Sequence, residues 1–268
     1  MPTHDTTFGA AQAHPFQPST PAATWDQRFS EHEWPTNPDA ALVELVEPLE
    51  PGHALDLGCG PGRNAVWLAS HGWQVTGVDI SPVGLAQAEA RAAAAGTTLQ
   101  VITADLLDYQ PPAKRFDLVL VANVHVAPQD RRPLFAAAAS ALAPGGHLLV
   151  IGHHLDSLGR IGPPDPERLY TEAILVDLVP MLEVEQLRRF ERPALTGDQP
   201  AVDAVLWARA PAASATPAET DAGAVIETAT TTTASASPLP ITAGIPGGCP
   251  PAAPTDGPAP STTPIARR

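Results

Sequence analysis

Leu55-Asp56-Leu57-Gly58-Cys59-Gly60-Pro61-Gly62-Arg63-Asn64 decides how this chain is read. Ala54 to Leu57 is a short apolar strand and Asn64 to His71 has helical spacing, so three glycines turn a strand directly into a helix. Glycine is demanded where the backbone takes positive φ, or where a ligand comes so close that a Cβ would collide. At the carboxyl end of the first strand of a doubly wound sheet, such a turn is where nucleotide-like ligands bind. The spacing of Gly58, Gly60 and Gly62 is G-x-G-x-G, whereas dinucleotide sites use G-x-G-x-x-G. Asp56, two residues ahead of the first glycine, suits a ligand carrying an ammonium group better than one carrying a pyrophosphate.

Working outward, Gln74 to Ile80 reads as the second strand and ends on Asp79, about 20 residues after the glycines, where a carboxylate can accept from both ribose hydroxyls. A nucleoside bearing an ammonium group describes S-adenosylmethionine. Ser81-Pro82 then opens a helix over Val83 to Ala95, stopped by Gly96. Leu99 to Thr103 and Phe116 to Ala122 are the third and fourth strands, the latter with a continuous Leu/Val run as expected when both faces are covered. Arg131 to Ala143 reads as a helix ended by Pro144-Gly145-Gly146, Leu148 to Gly152 as the fifth strand, and Glu172 to Val179 as a further helix. Glu183 to Glu191 and Asp203 to Ala210 follow without a helix between them, which predicts an antiparallel hairpin at the sheet edge. The fold class is therefore α/β: a Rossmann-like, doubly wound, mostly parallel sheet of about seven strands, with an antiparallel edge hairpin and flanking helices.

Over residues 25–210 the sequence resembles the class I S-adenosylmethionine-dependent methyltransferases, in the branch that includes the tellurite-resistance enzymes and similar small-molecule methyltransferases. The likeness is carried by Leu55 to Leu68, by Val75-Thr76-Gly77-Val78-Asp79-Ile80-Ser81, by Ala104-Asp105-Leu106 and by Leu142-Ala143-Pro144-Gly145-Gly146. It implies that Asp56, Gly58, Cys59, Gly60 and Gly62 line the methionine part of the cofactor, and that Asp79, with Ile80 beside it, holds the ribose. It implies further that Asp105 accepts from the adenine amino group with Leu106 beside the ring, and that Asn123 and Val124 form the wall nearest the methyl group. Asp105 also fits a turn residue. Arg63 and Asn64, opening the helix, either reach the methionine carboxylate or face solvent. Cys59 reads as a small filler, since nothing nearby in sequence would lower its pKa. Trp25, Phe29 and Trp34 form either part of a lid or an aromatic packing cluster.

Methyl transfer from a sulfonium needs alignment and exclusion of water more than a dedicated base. Candidate bases are His125, after the fourth strand, and His153 and His154, after the fifth; each reads equally as a hydrogen-bonded wall residue. Adjacent strand residues point to opposite faces, so at most one of His153 and His154 looks into the site. No ligand spacing points to a metal. The segment Gly152 to Leu169, rich in Gly, Pro and His, is expected to line the acceptor pocket. Ala122-Asn123-Val124-His125 lacks the Asn-Pro-Pro-aromatic signature of DNA amino-methyltransferases, and no cysteine stands where it could attack cytosine, which leaves a small-molecule acceptor.

The net charge of −14 opposes binding to a polyanion, and no Lys/Arg stripe is present to release counterions from nucleic acid. Residues 1–24 and 211–268, rich in Pro, Thr and Ala, are expected to be disordered arms around one domain. Two cysteines, Cys59 and Cys249, cannot build a disulfide framework. With no leader pattern and no apolar run of membrane-spanning length, a cytoplasmic location without membrane partners is expected; oligomeric state is silent. Two rivals remain. A nicotinamide-dependent oxidoreductase lacks its glycine spacing, and Lys114, the one lysine, leaves no Tyr-x-x-x-Lys pair. A non-catalytic S-adenosylmethionine-binding protein would keep the same motifs.

Overall fold

The structure is a computed structural model that describes residues 21–192 and 200–213. Of the expected N-terminal arm only Pro21 to Thr24 are described, and Ala22 to Thr24 already belong to a helix; nearly all of the expected tail lies outside the described residues. In chain order the elements are α1 (Ala22–Glu31), α2 (Ala40–Val46), β1 (His53–Leu57), α3 (Arg63–Ser70), β2 (Gln74–Asp79), α4 (Pro82–Ala94) and β3 (Gln100–Thr103). They continue as β4 (Phe116–Ala122), α5 (Pro128–Ala141), β5 (Leu142–His153), α6 (Glu172–Leu178), β6 (Glu183–Arg192) and β7 (Ala201–Arg209), with short 3-10 turns at Leu155–Ser157 and Pro166–Arg168.

Seven strands form one sheet in the order β3-β2-β1-β4-β5-β7-β6. Strands β1 to β5 run parallel, while β7 is antiparallel to both β5 and β6, which makes β6 the edge. The order reverses between β1 and β4, so the crevice at the carboxyl ends of β1 and β4 is the topological switch point where ligands of such sheets bind.

Apolar burial on the two faces of the sheet fixes the layers. One face packs Leu42, Leu45 and Val46 of α2, Leu68 of α3 and Leu85 of α4 against Ala54, Leu118, Leu120, Leu149 and Val205. The other packs Leu134 and Phe135 of α5 and Leu175 of α6 against Leu55, Val119, Val121, Leu148 and Leu206. Local signals fix the helix starts: Ser81 Oγ accepts from Gly84 N–H (3.0 Å) with Pro82 at the first helical position, and Thr171 Oγ1 accepts from Ile174 N–H (3.3 Å).

The clearest boundary differences from the sequence reading lie at α5 and β5. Helix α5 starts at Pro128, because a proline at the first helical position gives up no bonded N–H, and it carries Pro133 inside. It ends at Ala141, and β5 begins on the next residue. Gly145 and Gly146 therefore lie within the strand rather than in a loop. There a register shift opposite Phe116–Leu118 marks a bulge, and a Cβ on Gly146 would meet Phe116 O at 2.8 Å. Helices α1 and α2, which precede the first strand, were not part of the sequence reading.

Candidate active site

Gly58, Gly60 and Gly62 all adopt positive φ (79°, 48° and 82°), so the turn after β1 takes a path that side chains with a Cβ rarely follow. Gly58 and Cys59 N–H both donate to Val78 O (2.8 and 3.1 Å), tying the turn to β2. A Cβ on Gly58 would lie 2.6 Å from Val124 Cγ2 and 3.5 Å from Leu106 Cδ1, so these two residues wall the mouth of the loop, one from after β4 and one from after β3. A Cβ on Gly62 would meet that of Ala88 at 2.7 Å; this glycine lets α3 and α4 pack closely.

Asp79 closes β2 and reaches across to the loop. Its Oδ2 accepts from Gly60 N–H (2.8 Å) and its Oδ1 from Ser81 N–H (2.9 Å), and the Ile80 N–H also draws on the carboxyl group, which leaves it acceptor capacity to spare. Burial raises its pKa against the pull of these N–H groups. Asp56, on the neighbouring strand, is only 2% exposed. Its pKa is raised to about 7, first by burial, then by the charges of Asp79 and Asp39, with Arg63 and the Ala65 N–H pulling it back.

Asp39 is a site residue that the sequence reading missed. It precedes α2 and crosses to the start of α3, where its backbone N–H donates to Asn64 Oδ1 (2.9 Å), Asn64 Nδ2 donates to its Oδ2 (3.0 Å), and Arg63 forms an ion pair with the same oxygen. Asn123, at φ 59°, points its Nδ2 at that oxygen from 3.5 Å. Arg63 and Asn64 are thus engaged by Asp39 rather than facing solvent. The signal was an aspartate ahead of Ala40-Ala41-Leu42, which reads as an ordinary helix cap, yet its side chain makes no cap bond and is spent on the glycine loop instead.

Other expected residues separate. Cys59 turns its sulfur into the core against Gly77, whose Cβ would lie 2.8 Å away, and burial pushes its thiol pKa well up. Ile80 is half-buried just after Asp79. Asp105 Oδ1 accepts from Leu107 N–H (3.0 Å) in a turn after β3, with Leu106 facing Gly58. Trp25, Phe29 and Trp34 cluster with ring centroids 5.0–6.5 Å apart. Phe29 fills the space over Gly60 and Gly84, and α1 is latched to α4 by Gln87 Nε2 donating to Phe29 O (2.9 Å) and Ser81 Oγ donating to Asp26 Oδ1 (2.5 Å).

The three histidines have three different fates. His154 is buried on the far face, its Nε2 3.1 Å from Glu172 Oε2 and its Nδ1 accepting from Asp156 N–H (3.0 Å). His125 donates from Nδ1 to Arg168 O (3.0 Å), and its Nε2 receives the His153 N–H at 3.4 Å. Burial and the neighbouring His153 lower its pKa to about 4, so it is a neutral wall. The His153 ring stacks on it (centroids 4.8 Å apart, planes at 18°) and sets its Nδ1 3.0 Å from Asp203 Oδ1. Within residues 152–169, a Cβ on Gly162 would strike His153 Cδ2 at 2.4 Å, and Arg131 holds Glu167 O and Leu169 O.

Around the turn, the carboxyl groups of Asp39, Asp56 and Asp79, with Asp26 acting on Asp79, outnumber the guanidiniums of Arg63 and of Arg91, which donates to Pro61 O (3.2 Å). That balance suits a cationic nucleoside and opposes a pyrophosphate. A groove of about 690 Å³ opens elsewhere, lined by His53, Gln74, Gln100 and Phe116 at the amino ends of β1 to β4. It lies at the wrong end of a parallel sheet for the switch-point crevice. Among the described residues no group of three or more His, Cys, Asp or Glu could hold a metal ion, and no helix is long and apolar enough to cross a membrane.

Residues 54–146, from β1 into β5, match the methyltransferase domain family. The match covers about a third of the chain. Among curated relatives of this methyltransferase domain, a ribosomal RNA small subunit methyltransferase C from Alcanivorax borkumensis is 35% identical over 109 residues, 39% of this chain and 33% of that one. A trans-aconitate 2-methyltransferase from Streptomyces avermitilis is 38% identical over 144 residues, 48% of this chain and 51% of that one. The chain thus spans a third to a half of these relatives' length. Among solved structures, the N-methyltransferase NodS from Bradyrhizobium japonicum, in complex with S-adenosyl-L-homocysteine, superposes with a TM-score of 0.57 at 20% identity, covering 71% of this chain and 98% of that one.

Proposed function

We propose that this methyltransferase binds S-adenosylmethionine in the crevice between the glycine turn and Asp79 and transfers its methyl group to a small-molecule acceptor held over the ends of β4 and β5. The observation that carries the reading is the carboxyl cluster at a turn whose glycines leave the backbone bare: Asp56 is buried beside Asp39 and Asp79 with one guanidinium nearby, an environment completed by a bound cation. In this arrangement Asp56 faces the ammonium group, the remaining acceptor positions of Asp79 take the ribose hydroxyls, and Leu106, Val124 and Asn123 shape the space where adenine and the methyl group lie. Ile80 and Asp105 border the adenine end, and Arg63 and Asn64 work through Asp39 to fix the turn. When bound, the cofactor supplies an electrophilic methyl group; the chain supplies alignment and a dry wall.

A small acceptor is favoured over nucleic acid by the charge of −14, even though one relative is a ribosomal RNA methyltransferase, because a polyanion gains nothing from this chain by counterion release. The nicotinamide reading draws no support from a turn lined with carboxyl groups.

The direct test is titration with S-adenosylhomocysteine against NAD by calorimetry. The expected result is saturable binding of the first and none of the second. Asp79→Ala should weaken S-adenosylhomocysteine binding by about 1–3 kcal/mol through loss of charge-assisted bonds to the ribose and of the Gly60 tether; unchanged affinity would remove Asp79 from the site. Incubation with methyl-labelled S-adenosylmethionine and a small-molecule extract then separates an enzyme, which yields labelled products, from a binding protein, which yields none.

A further inference from the structure

The antiparallel hairpin does more than close the sheet. Asp203 of β7 stands directly opposite His153 of β5 in the register, so the two side chains share a face, and Asp203 is only 1% exposed. Its Oδ1 is 3.0 Å from His153 Nδ1 and accepts from Arg192 NH2 on β6 at 3.1 Å; Arg192 Nε closes an ion pair on Oδ2. Arg192 NH2 also lies 3.3 Å from His153 Nδ1. That nitrogen cannot both donate to the carboxylate and accept from the guanidinium. The shorter contact to a charged acceptor decides in favour of Nδ1–H donating to Asp203. The lone pair is then on Nε2, which no described residue engages. Around this ring stand Asp203, Arg192 and the neutral His125, with Gly162 covering Cδ2.

Resting on the methyl-transfer reading, we propose that His153 is the proton acceptor for the methyl acceptor, that Asp203 and Arg192 are its positioning residues, and that the acceptor is therefore a protic group, a hydroxyl, thiol or N–H, rather than a carboxylate. In the step, a lone pair of the acceptor atom forms the new bond to the methyl carbon, and the carbon–sulfur bond breaks with its electron pair left on sulfur. The proton of the acceptor passes to His153 Nε2. Asp203 keeps the opposite ring nitrogen protonated, so the lone pair faces the acceptor and the resulting imidazolium is held by a carboxylate. A carboxylate acceptor has no proton to lose and would make no use of this constellation.

Two measurements on the full chain test this. Nitrogen NMR of labelled histidine, with His153 assigned by His153→Gln, should show a neutral ring protonated on Nδ1, and Asp203→Asn should move protonation toward Nε2; an Nε2-protonated ring in the wild type overturns the proposal. Turnover with catechol, dithiothreitol, aniline and trans-aconitate as acceptors should show methylation of at least one of the first three and none of the fourth. His153→Gln should lower the rate at pH 7 roughly 100-fold, the scale of general-base catalysis. The deficit should shrink as the pH is raised past the acceptor's own ionisation, while S-adenosylhomocysteine affinity stays within about twofold. Asp203→Asn should lower kcat with KM unchanged. Rates equal to wild type in His153→Gln, methylation of trans-aconitate alone, or bound S-adenosylhomocysteine with no acceptor methylated would each overturn the assignment of His153 while leaving the cofactor site intact. Failure to bind S-adenosylhomocysteine would overturn both.

Discussion

Replacing Asp39 by alanine is expected to lower the unfolding free energy by roughly 3 kcal/mol, the low end for breaking a buried ion pair, because Arg63 keeps some contact with solvent. Three groups lose a partner at once: the Arg63 guanidinium and the Asn64 and Asn123 carboxamides. The Asp39 backbone N–H bond to Asn64 Oδ1 survives, which keeps α2 attached to α3 and the loss below collapse of the fold. Denaturant unfolding of the variant checks this through a lower midpoint at unchanged slope. A variant as stable as the wild type would mean that the Asp39 cluster is a solvated surface pair and not part of the turn's support.

Asp56→Asn is expected to remove the pH dependence that this one residue imposes. The folded-state pKa of about 7 lies above the ordinary 3.8, so between these values the folded chain holds a proton that the unfolded chain has released. Stability contributed by Asp56 is therefore full below about pH 4 and declines as pH rises toward 7, at no more than about 1.4 kcal/mol per pH unit, the limit for one proton. Asparagine stays neutral, so the variant should gain on the wild type steadily across that window and hold its gain above it. His125, with its pKa depressed to about 4, works in the opposite direction, losing stability as pH falls from its ordinary 6.5 toward 4. The difference between variant and wild type, rather than either curve alone, isolates Asp56. In the proposed site a bound ammonium group would draw the proton off. Hence S-adenosylhomocysteine should bind more tightly at pH 8 than at pH 6 in the wild type, and with a flatter profile in Asp56→Asn.

The sheet was legible because its signals are local. The glycine turn, the serine–proline start of α4 and the Leu118 to Val121 run of β4 each announce one element, and strand–helix alternation leaves few ways to assemble them. The edge hairpin was legible for the same reason, since two strand patterns follow each other with no helix between. What stayed hidden depends on contacts far apart in sequence. Asp39 reads as a helix cap until the fold brings Asn64 and Asn123 against it, 25 and 84 residues away. Asp203 looks like an isolated acid in an apolar strand; only the antiparallel register with β5 places it under His153, and only the pairing of β6 with β7 brings Arg192 to both. Likewise the sequence could list His125, His153 and His154 as equals, because which ring nitrogen is spent is decided far away: by Arg168 for His125, by Asp203 of β7 for His153, and by Glu172 of α6 for His154.

A crystal structure of the full chain soaked with S-adenosylhomocysteine tests the central claim most directly. The account predicts the ribose hydroxyls on Asp79, the ammonium group at Asp56 beneath the glycine turn, and the thioether sulfur turned toward the ends of β4 and β5. A nucleoside seated in the groove at the amino ends of the strands, or anywhere that leaves Asp56 and Asp79 untouched, would contradict it.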